Sequence, residues 1–405
     1  PKGYFRIHFN KSDFPDYVPE KIRSGLTMEQ LASYKKKYLD SLAIAADSVY
    51  NYEVNILGYS APPSDGTEGG DGLYDIYIED TGSIYGETVF YTGSKITYLR
   101  MDNDFSNYYT TRIFAARVTL AHEFHHAIQI GGYLYRSSDV FYYELTSTSM
   151  EEFVFDDVND YYQYLNSFIK STHKSFGSNN GYNMAVWNLF LASKFGMDII
   201  KRTWDLMPSE RALNAIADAI AENESSFKNE YADFGLWLYY TGSRSKTGEY
   251  FDEAAKYPQV KAVVSSEFTK PQTMVTVNSY PVSTNYLMFN DGTDTLTVMV
   301  SNSDVTNGVS SMTTTTSFDF YLADNAETGF TKYADGYYGK IDCKNSSQSS
   351  LLSEEYFFNN TIIDATEEVN YPFPQPFKYS TDGVINFPSS IEKSGSVDLF
   401  IYSVD

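Results

Sequence analysis

The sequence contains a single cysteine, Cys343, among its 405 residues. One cysteine cannot form a disulfide within the chain, and it cannot supply a zinc site made of cysteine ligands. The chain therefore does not belong with the small secreted proteins that disulfides hold together. This absence does not exclude export from a bacterial cell, because many exported bacterial proteins have no disulfide.

Positive charge and long apolar runs are also scarce. Lys and Arg total 30 against 53 Asp and Glu, which gives a formal net charge of -23. Such an acidic surface repels phosphate backbones, so we expect no nucleic-acid partner. No run of about 18 apolar residues occurs, so we expect no membrane span. Because the chain begins at Pro1 and not at methionine, we expect a removed leader and hence a secreted or cell-surface protein.

The chain changes character near residue 257, and its length already favours two domains. Residues 1–257 mix short strands with long helical patterns. Residues 258–405 contain short strand-like runs separated by Asn, Asp, Gly and Ser turns. We therefore predict an α+β protein, with a mixed α/β domain over 1–257 and an all-β domain, a β-sandwich, over 258–405.

Local signals predict the elements of the first region. Thr27 and Gln30 form the pattern of a capping box, which predicts a helix that begins there and continues to about residue 54. Alternating apolar residues predict strands at 74–78 and 96–99. Helical periodicity predicts one helix at 108–130, ended by Gly131 and Gly132, and another at 140–155.

The helix predicted at 108–130 contains the pattern His-Glu-x-x-His, at His122, Glu123 and His126. Residues four apart lie on one face of a helix, so the two imidazoles can bind one metal ion. Zinc lowers the pKa of a water molecule that it binds, and Glu123 lies beside His122, where it can accept the proton. The pattern predicts a zinc hydrolase in which Glu123 is the general base.

Two alternatives concern the same histidines. They could be core residues that are only hydrogen-bonded, although the helix is largely apolar and carries three of the five histidines of the chain. His125 could pair with His122, but Glu123 would then have no familiar role. We expect His125 to turn away from the metal and to pack or hydrogen-bond nearby.

A catalytic zinc usually has three protein ligands and one open position. The next helix offers Glu144, Glu151 and Glu152, and Glu144 follows His126 by 18 positions. A helix end, a glycine turn and a returning helix fit that separation.

This combination resembles the gluzincin clan of zinc peptidases, which carry a ligand Glu about eighteen residues after the motif, in the following helix. The resemblance implies a zincin-like catalytic domain, Zn²⁺ as cofactor and Glu144 as third ligand. The sequence departs from the clan at Leu145, where aminopeptidases have Gly, and at Thr148, where thermolysin-like enzymes have an Asp that orients a ligand His. Glu151 could supply that carboxylate. Alternatively, Glu151 and Glu152 form a solvated acidic helix face.

The chain also resembles exported bacterial metalloproteases over most of residues 4–257. The shared segments, in order around the motif, are Leu57-Gly58-Tyr59, Tyr74–Ile78, Tyr85-Gly86, Asp102–Phe105 and Phe195-Gly196 with Trp204.

The resemblance further implies a Tyr or His, downstream of the third ligand, that stabilises the oxyanion. Tyr182 is the first candidate and His173 the competitor. It also implies that the strand at 96–99 is an edge strand that binds the peptide substrate.

Five aspartates in or beside turns suggest a second cation, calcium. They are Asp65, Asp71, Asp75, Asp102 and Asp104. No complete calcium-binding loop pattern is present, and turn-forming aspartates are the favoured interpretation.

Together these features predict an exported zinc endopeptidase that acts on a protein or peptide. One alternative is an aminopeptidase, although no motif for binding a free amine is recognisable. Another is a binding or adhesion protein with a vestigial metal site. The presence of Glu123 argues against a vestigial metal site, since no structural role requires a glutamate at this position.

Overall fold

The computed structural model describes residues 3–10, 23–91, 93–106, 108–133 and 135–262. Beyond these it describes residues 264–267, 272–279, 282–290, 297–302, 312–314, 321–323, 330–332, 340–343, 349–350 and 395–402. The chain divides into two compact units, which are described separately below. The first comprises residues 1–166 and 180–223, and the second comprises 167–179 and 224–405. The domain boundary after residue 257 stays a prediction.

A four-stranded sheet lies in the first unit, so the predicted mixed α/β character is confirmed. The strands are β1 (Phe5–Phe9), β2 (Tyr74–Glu79), β3 (Gly86–Phe90) and β4 (Thr97–Asp102), in the order β1-β2-β4-β3. Strands β1, β2 and β4 are parallel, and β3 pairs antiparallel with β4.

The strand predicted at 96–99 is part of β4, and the expectation that it lies at an edge is wrong. It is hydrogen-bonded on both sides, to β2 and β3, and Leu99 and Met101 are fully buried. The edge beyond β4 is formed by β3, which is half-buried along most of its length. The alternating apolar residues predicted a strand here, but they did not show that β3 pairs with its other edge.

Eight helices occur in the described part of the chain. They are α1 (Met28–Tyr50), α2 (Arg112–Gly132), α3 (Val140–Val154), α4 (Tyr162–Ile169), α5 (Ala185–Phe195), α6 (Asp198–Leu206), α7 (Ala212–Ala221) and α8 (Phe227–Tyr239). The predicted capping box is present, because the side chains and backbone N–H groups of Thr27 and Gln30 bond reciprocally. None of these helices combines the length and apolar character that crossing a bilayer requires.

Helix α2 begins four residues later than predicted. The carboxylate of Asp102 accepts hydrogen bonds from the backbone N–H groups of Asp104 and Phe105, at 3.0 and 2.7 Å. Such local side-chain bonds compete with helix formation. Closer to the helix, the backbone N–H groups of Tyr109 and Thr110 donate to the hydroxyl of Tyr85, at 3.0 and 3.3 Å, and residues 108–111 are not helical.

The ten strands described after residue 262 all lie in the second unit. These are β5 (Val264–Glu267), β6 (Gln272–Ser279), β7 (Leu287–Asn290), β8 (Thr297–Asn302), β9 (Met312–Thr314), β10 (Tyr321–Ala323), β11 (Phe330–Lys332), β12 (Lys340–Cys343), β13 (Ser349–Ser350) and β14 (Gly395–Tyr402). Strand β14 pairs antiparallel with β6 and β8. The predicted β-sandwich depends largely on residues outside those described, and it stays a prediction.

Helix α2 occupies the centre of the first unit, where it packs on β3, β4, α1 and α3. Between Val118 and Gly131 every residue except His126 is buried. The ring of Phe124 contacts those of Phe5 and Tyr74, with centroids 5.2 and 5.8 Å apart. A helix this enclosed must find a partner for each polar side chain that it carries.

One such partner is Glu53, in the π-helical turn that follows α1. His125 faces away from the other histidines, as expected, and its Nδ1 lies 2.8 Å from Glu53 Oε2. Both side chains are fully buried. Burial raises the pKa of Glu53 well above its usual value and lowers the pKa of His125 well below its own. Burial therefore favours the uncharged forms of both side chains, in which the carboxyl of Glu53 can donate to Nδ1 of His125.

We expect Glu53→Leu to lower the free energy of unfolding by about 1–3 kcal/mol, because it leaves the buried Nδ1 of His125 without a partner. Glu53→Gln should cost less, because its amide N–H can donate to the same nitrogen. Urea unfolding of the metal-free protein, followed by circular dichroism, measures both. Equal losses for the two variants would contradict the hydrogen bond.

Candidate metal centre

Helices α2 and α3 bring three predicted ligands together. His122 and His126 are one turn apart on α2, and Glu144 lies near the start of α3. The two Nε2 atoms are 3.1 Å apart, and Oε2 of Glu144 is 3.3 Å from that of His122 and 3.2 Å from that of His126. In the described part of the chain, these are the three side chains grouped so that they could hold a metal ion.

The spacing of the three atoms fits a tetrahedral metal. Ligands about 2.0–2.1 Å from zinc, at the tetrahedral angle, are about 3.3–3.4 Å from one another. The observed separations of 3.1–3.3 Å are within a few tenths of an ångström of this value. Two imidazoles and one carboxylate also suit other divalent metals, so the geometry identifies a metal group and not the element.

A carboxylate sets the orientation of His122. Nδ1 of His122 lies 2.8 Å from Oε1 of Glu151 on α3. A carboxylate only accepts, so with Glu151 ionised Nδ1 carries the proton and Nε2 directs a lone pair at the metal position. The interpretation of Glu151 and Glu152 as a solvated face is wrong, because both are buried.

Without a metal, the neighbouring carboxylates favour the protonated form of His122. Burial lowers the pKa of His122, but hydrogen bonds to Glu144 and Glu151 outweigh it, and that pKa stands well above its usual value. Burial acts to raise the pKa of Glu144, and its bonds to both histidines reverse this, so it lies below its usual value. Burial raises the pKa of Glu151 to about 7. The two imidazole Nε2 atoms and the Glu144 carboxylate are therefore arranged around one cation, either a proton or a metal ion.

Sequence reasoning missed the group that orients His126. Oε1 of Gln129 lies 2.7 Å from His126 Nδ1, and the amide nitrogen of Gln129 donates to the carbonyl of Tyr143 at 3.1 Å. Because that carbonyl only accepts, it determines which end of the amide faces His126. His126 therefore carries its proton on Nδ1, and Nε2 is free for a metal. A lone buried polar residue three positions after the motif was the available signal.

Within the enclosed stretches of the two helices, solvent is reached at the metal group. In α2 only His126 is not buried between residues 118 and 131, and in α3 only Glu144 is not buried between 141 and 152. The side chains of these two residues are 14% and 19% exposed. Metal sites that are purely structural are closed, whereas catalytic sites keep an accessible position.

Two predicted catalytic residues lie beside this group. Glu123 follows His122 on α2 and is nearly buried. Tyr182 precedes α5, and its ring stacks on the imidazole of His122 with centroids 5.4 Å apart and planes 6° from parallel. Burial and the adjacent Glu144, with which it is hydrogen-bonded, raise the pKa of Tyr182. His173, the other candidate for stabilising the oxyanion, belongs to the second compact unit.

Gly181 allows Tyr182 to lie close to helix α3. Its φ is +97°, and a Cβ there would lie 2.2 Å from the carbonyl oxygen of Phe141 and 2.6 Å from Cβ of Glu144. A larger residue would force the turn away from α3.

Tyr164 on α4 was not singled out by the sequence. Its ring centroid is 5.4 Å from that of Tyr182. Burial raises its pKa, and Glu151 adds to the effect. Among 37 tyrosines, nothing in the sequence separates this one from the others.

The five aspartates suggested for calcium are not part of the metal group. Asp102 and Asp104 accept hydrogen bonds from backbone N–H groups of the following turn, and Asp71, which also pairs with Arg6, accepts one from Leu73. These three are turn-forming aspartates. Asp75 lies on β2, with its Oδ1 2.8 Å from Nε2 of His8, and burial and the adjacent Asp75 raise the pKa of Asp65.

We expect one zinc per chain in native mass spectrometry, and we expect Glu144→Ala to weaken zinc binding strongly, because it removes one of three ligands. Glu29→Ala, an exposed carboxylate on α1, is the control and should keep its zinc. Zinc retained equally by both variants would show that Glu144 is not a ligand.

Gln129→Leu should weaken zinc binding about 10–100-fold, because His126 Nδ1 loses its nearest acceptor and keeps only the hydroxyl of Ser147, at 3.1 Å. Gln129→Glu keeps the acceptor for Nδ1 but loses the N–H that is donated to the carbonyl of Tyr143, so it should weaken zinc binding less than Gln129→Leu does. Competition with a chelator of known affinity measures both. The role assigned to Gln129 fails if Leu and Glu have the same effect.

No model of a known protein family matches the chain, and no curated protein matches it. What the site does is therefore argued from its own geometry.

Proposed function

We propose that the chain is a zinc-dependent endopeptidase with a zincin-like catalytic domain. The observation that carries this proposal is the solvent-accessible group of His122, His126 and Glu144, with the carboxylate of Glu123 and the phenol of Tyr182 beside it. A ligand set with an accessible position, a base and a hydrogen-bond donor is what metal-assisted hydrolysis requires.

The three ligands would hold zinc, which when bound acts as a Lewis acid on the water and on the substrate carbonyl. Glu123 takes a proton from the attacking water, and the water oxygen forms a bond to the carbonyl carbon. The C–N bond then breaks, and the proton passes from Glu123 to the leaving amine nitrogen. Tyr182 keeps its proton at neutral pH, as tyrosine ordinarily does, and its pKa is raised further. Its hydroxyl, which is hydrogen-bonded to Glu144, would turn to donate to the developing oxyanion.

The sheet supports a peptide as the substrate. Strand β3 has one side paired with β4 and is the last strand of the sheet on that edge. An extended peptide could add to this edge through its backbone, independent of its ends. Because Thr88 on β3 contacts Glu123, a peptide on this edge would lie beside the base. An internal bond of a longer chain is therefore the proposed site of cleavage.

We expect the zinc-loaded protein to cleave internal bonds in a library of denatured peptides, and Glu123→Gln to lower the rate about 10²–10⁴-fold with zinc still bound. Tyr182→Phe should lower kcat about 10²-fold. Mass spectrometry of the products reports both the rate and the position of cleavage.

Cleavage restricted to the first residue of each peptide would favour an aminopeptidase. If the wild type binds one zinc and cleaves nothing, or if Glu123→Gln is as active as the wild type, the proposal is wrong.

A further inference from the structure

Strand β3 comes unusually close to helix α2 at Gly86. A Cβ there would lie 2.7 Å from Cγ2 of Thr119 on α2 and 2.8 Å from the carbonyl oxygen of Arg100 on β4. Contacts this short do not occur between real side chains and their neighbours, so glycine allows the strand to lie against the helix. Side chains alternate along a strand, and Thr88 therefore points to the same face as Gly86.

This approach places the Thr88 hydroxyl on Glu123. Oγ1 of Thr88 is 2.8 Å from Oε2 of Glu123 and 2.7 Å from the backbone carbonyl oxygen of the same residue. Within the part of the chain that the structure describes, no other hydrogen bond to the Glu123 carboxylate is present. The base of the proposed reaction is therefore tethered by a residue of the edge strand.

The chemistry of the hydroxyl matches what a proton-accepting carboxylate needs. A threonine hydroxyl has one proton to donate, and both neighbouring oxygens can accept it. While Glu123 is ionised, Oε2 is the stronger acceptor and receives the bond. Once the carboxyl carries a proton on Oε1, Oε2 accepts more weakly, and the backbone oxygen is an alternative partner. The hydroxyl thus has an acceptor in both protonation states without movement of the strand or the helix.

We propose that Thr88 is a positioning residue for the proposed peptidase reaction, in which its hydroxyl holds Oε2 of Glu123 and leaves Oε1 to accept and return the proton. This inference rests on the proposed function. The proton of Thr88 is not transferred in the reaction, and only its acceptor changes. Without the hydroxyl, the carboxylate could rotate away from the attacking water, and a small misplacement of a reacting group costs up to about 10²-fold in rate.

Two variants separate the hydroxyl from the shape of the side chain. Thr88→Val keeps the shape and removes the hydroxyl, and Thr88→Ser keeps the hydroxyl. The first measurement uses the metal-free protein and needs no turnover. Melting temperatures of the wild type, Thr88→Val, Glu123→Ala and the double variant form a double-mutant cycle. If the two side chains interact, the two shifts in Tm should differ from additivity by about 2 °C.

The second measurement uses the zinc-loaded protein and a peptide that the wild type cleaves. Thr88→Val should lower kcat about 10–100-fold, with KM changed less than about twofold and with zinc per chain unchanged. Thr88→Ser should stay within about threefold of the wild-type kcat. A residue that only supports the fold would not give this restoration by serine.

Additive shifts in Tm would overturn the proposal, because the contact would be absent. So would a normal kcat for Thr88→Val, or a kcat for Thr88→Ser as low as that of Thr88→Val, and in those cases the proposed peptidase function would stand. If Tm shows the interaction but the zinc-loaded wild type cleaves no peptide, the peptidase function fails and the role of Thr88 fails with it.

Discussion

The metal group depends on the hydrogen bonds that decide which nitrogen of each imidazole carries its proton. Glu151 holds Nδ1 of His122, and Gln129 holds Nδ1 of His126, while the orientation of Gln129 is set by a backbone carbonyl of α3. Each bond directs an Nε2 lone pair toward the same point, where Glu144 adds a carboxylate oxygen. Three acceptors this close together repel one another unless they share a cation.

Burial strengthens these hydrogen bonds and also limits where the metal group is exposed to solvent. Helices α2 and α3 are enclosed along most of their length, so their polar side chains must find partners inside the protein. Their exposure near the middle of each helix is confined to the ligands His126 and Glu144. The enclosed interior thus holds the three candidate ligands in place, and the exposed part of the group lies at His126 and Glu144.

Strand β3, at the edge of the sheet, packs directly on this interior. Because Gly86 has no side chain, β3 can lie directly on α2, and this brings Thr88 to the carboxylate of Glu123. A strand proposed to bind the peptide therefore also contacts the proposed base. The same packing determines both where a substrate would lie and how the carboxylate is oriented.

Local spacing alone predicts the candidate ligands on α2, because residues three or four positions apart on a helix share a face whatever surrounds them. His122, His126 and the capping box at Thr27 follow from this spacing, and Glu144 required in addition a resemblance to known peptidases. The packing of the elements was needed to show that β3 and not β4 is the edge strand, that Glu151 is buried against His122, and that Gln129, Tyr164 and Thr88 lie beside the metal group. These contacts join residues far apart in the chain, and no local pattern encodes which element packs on which.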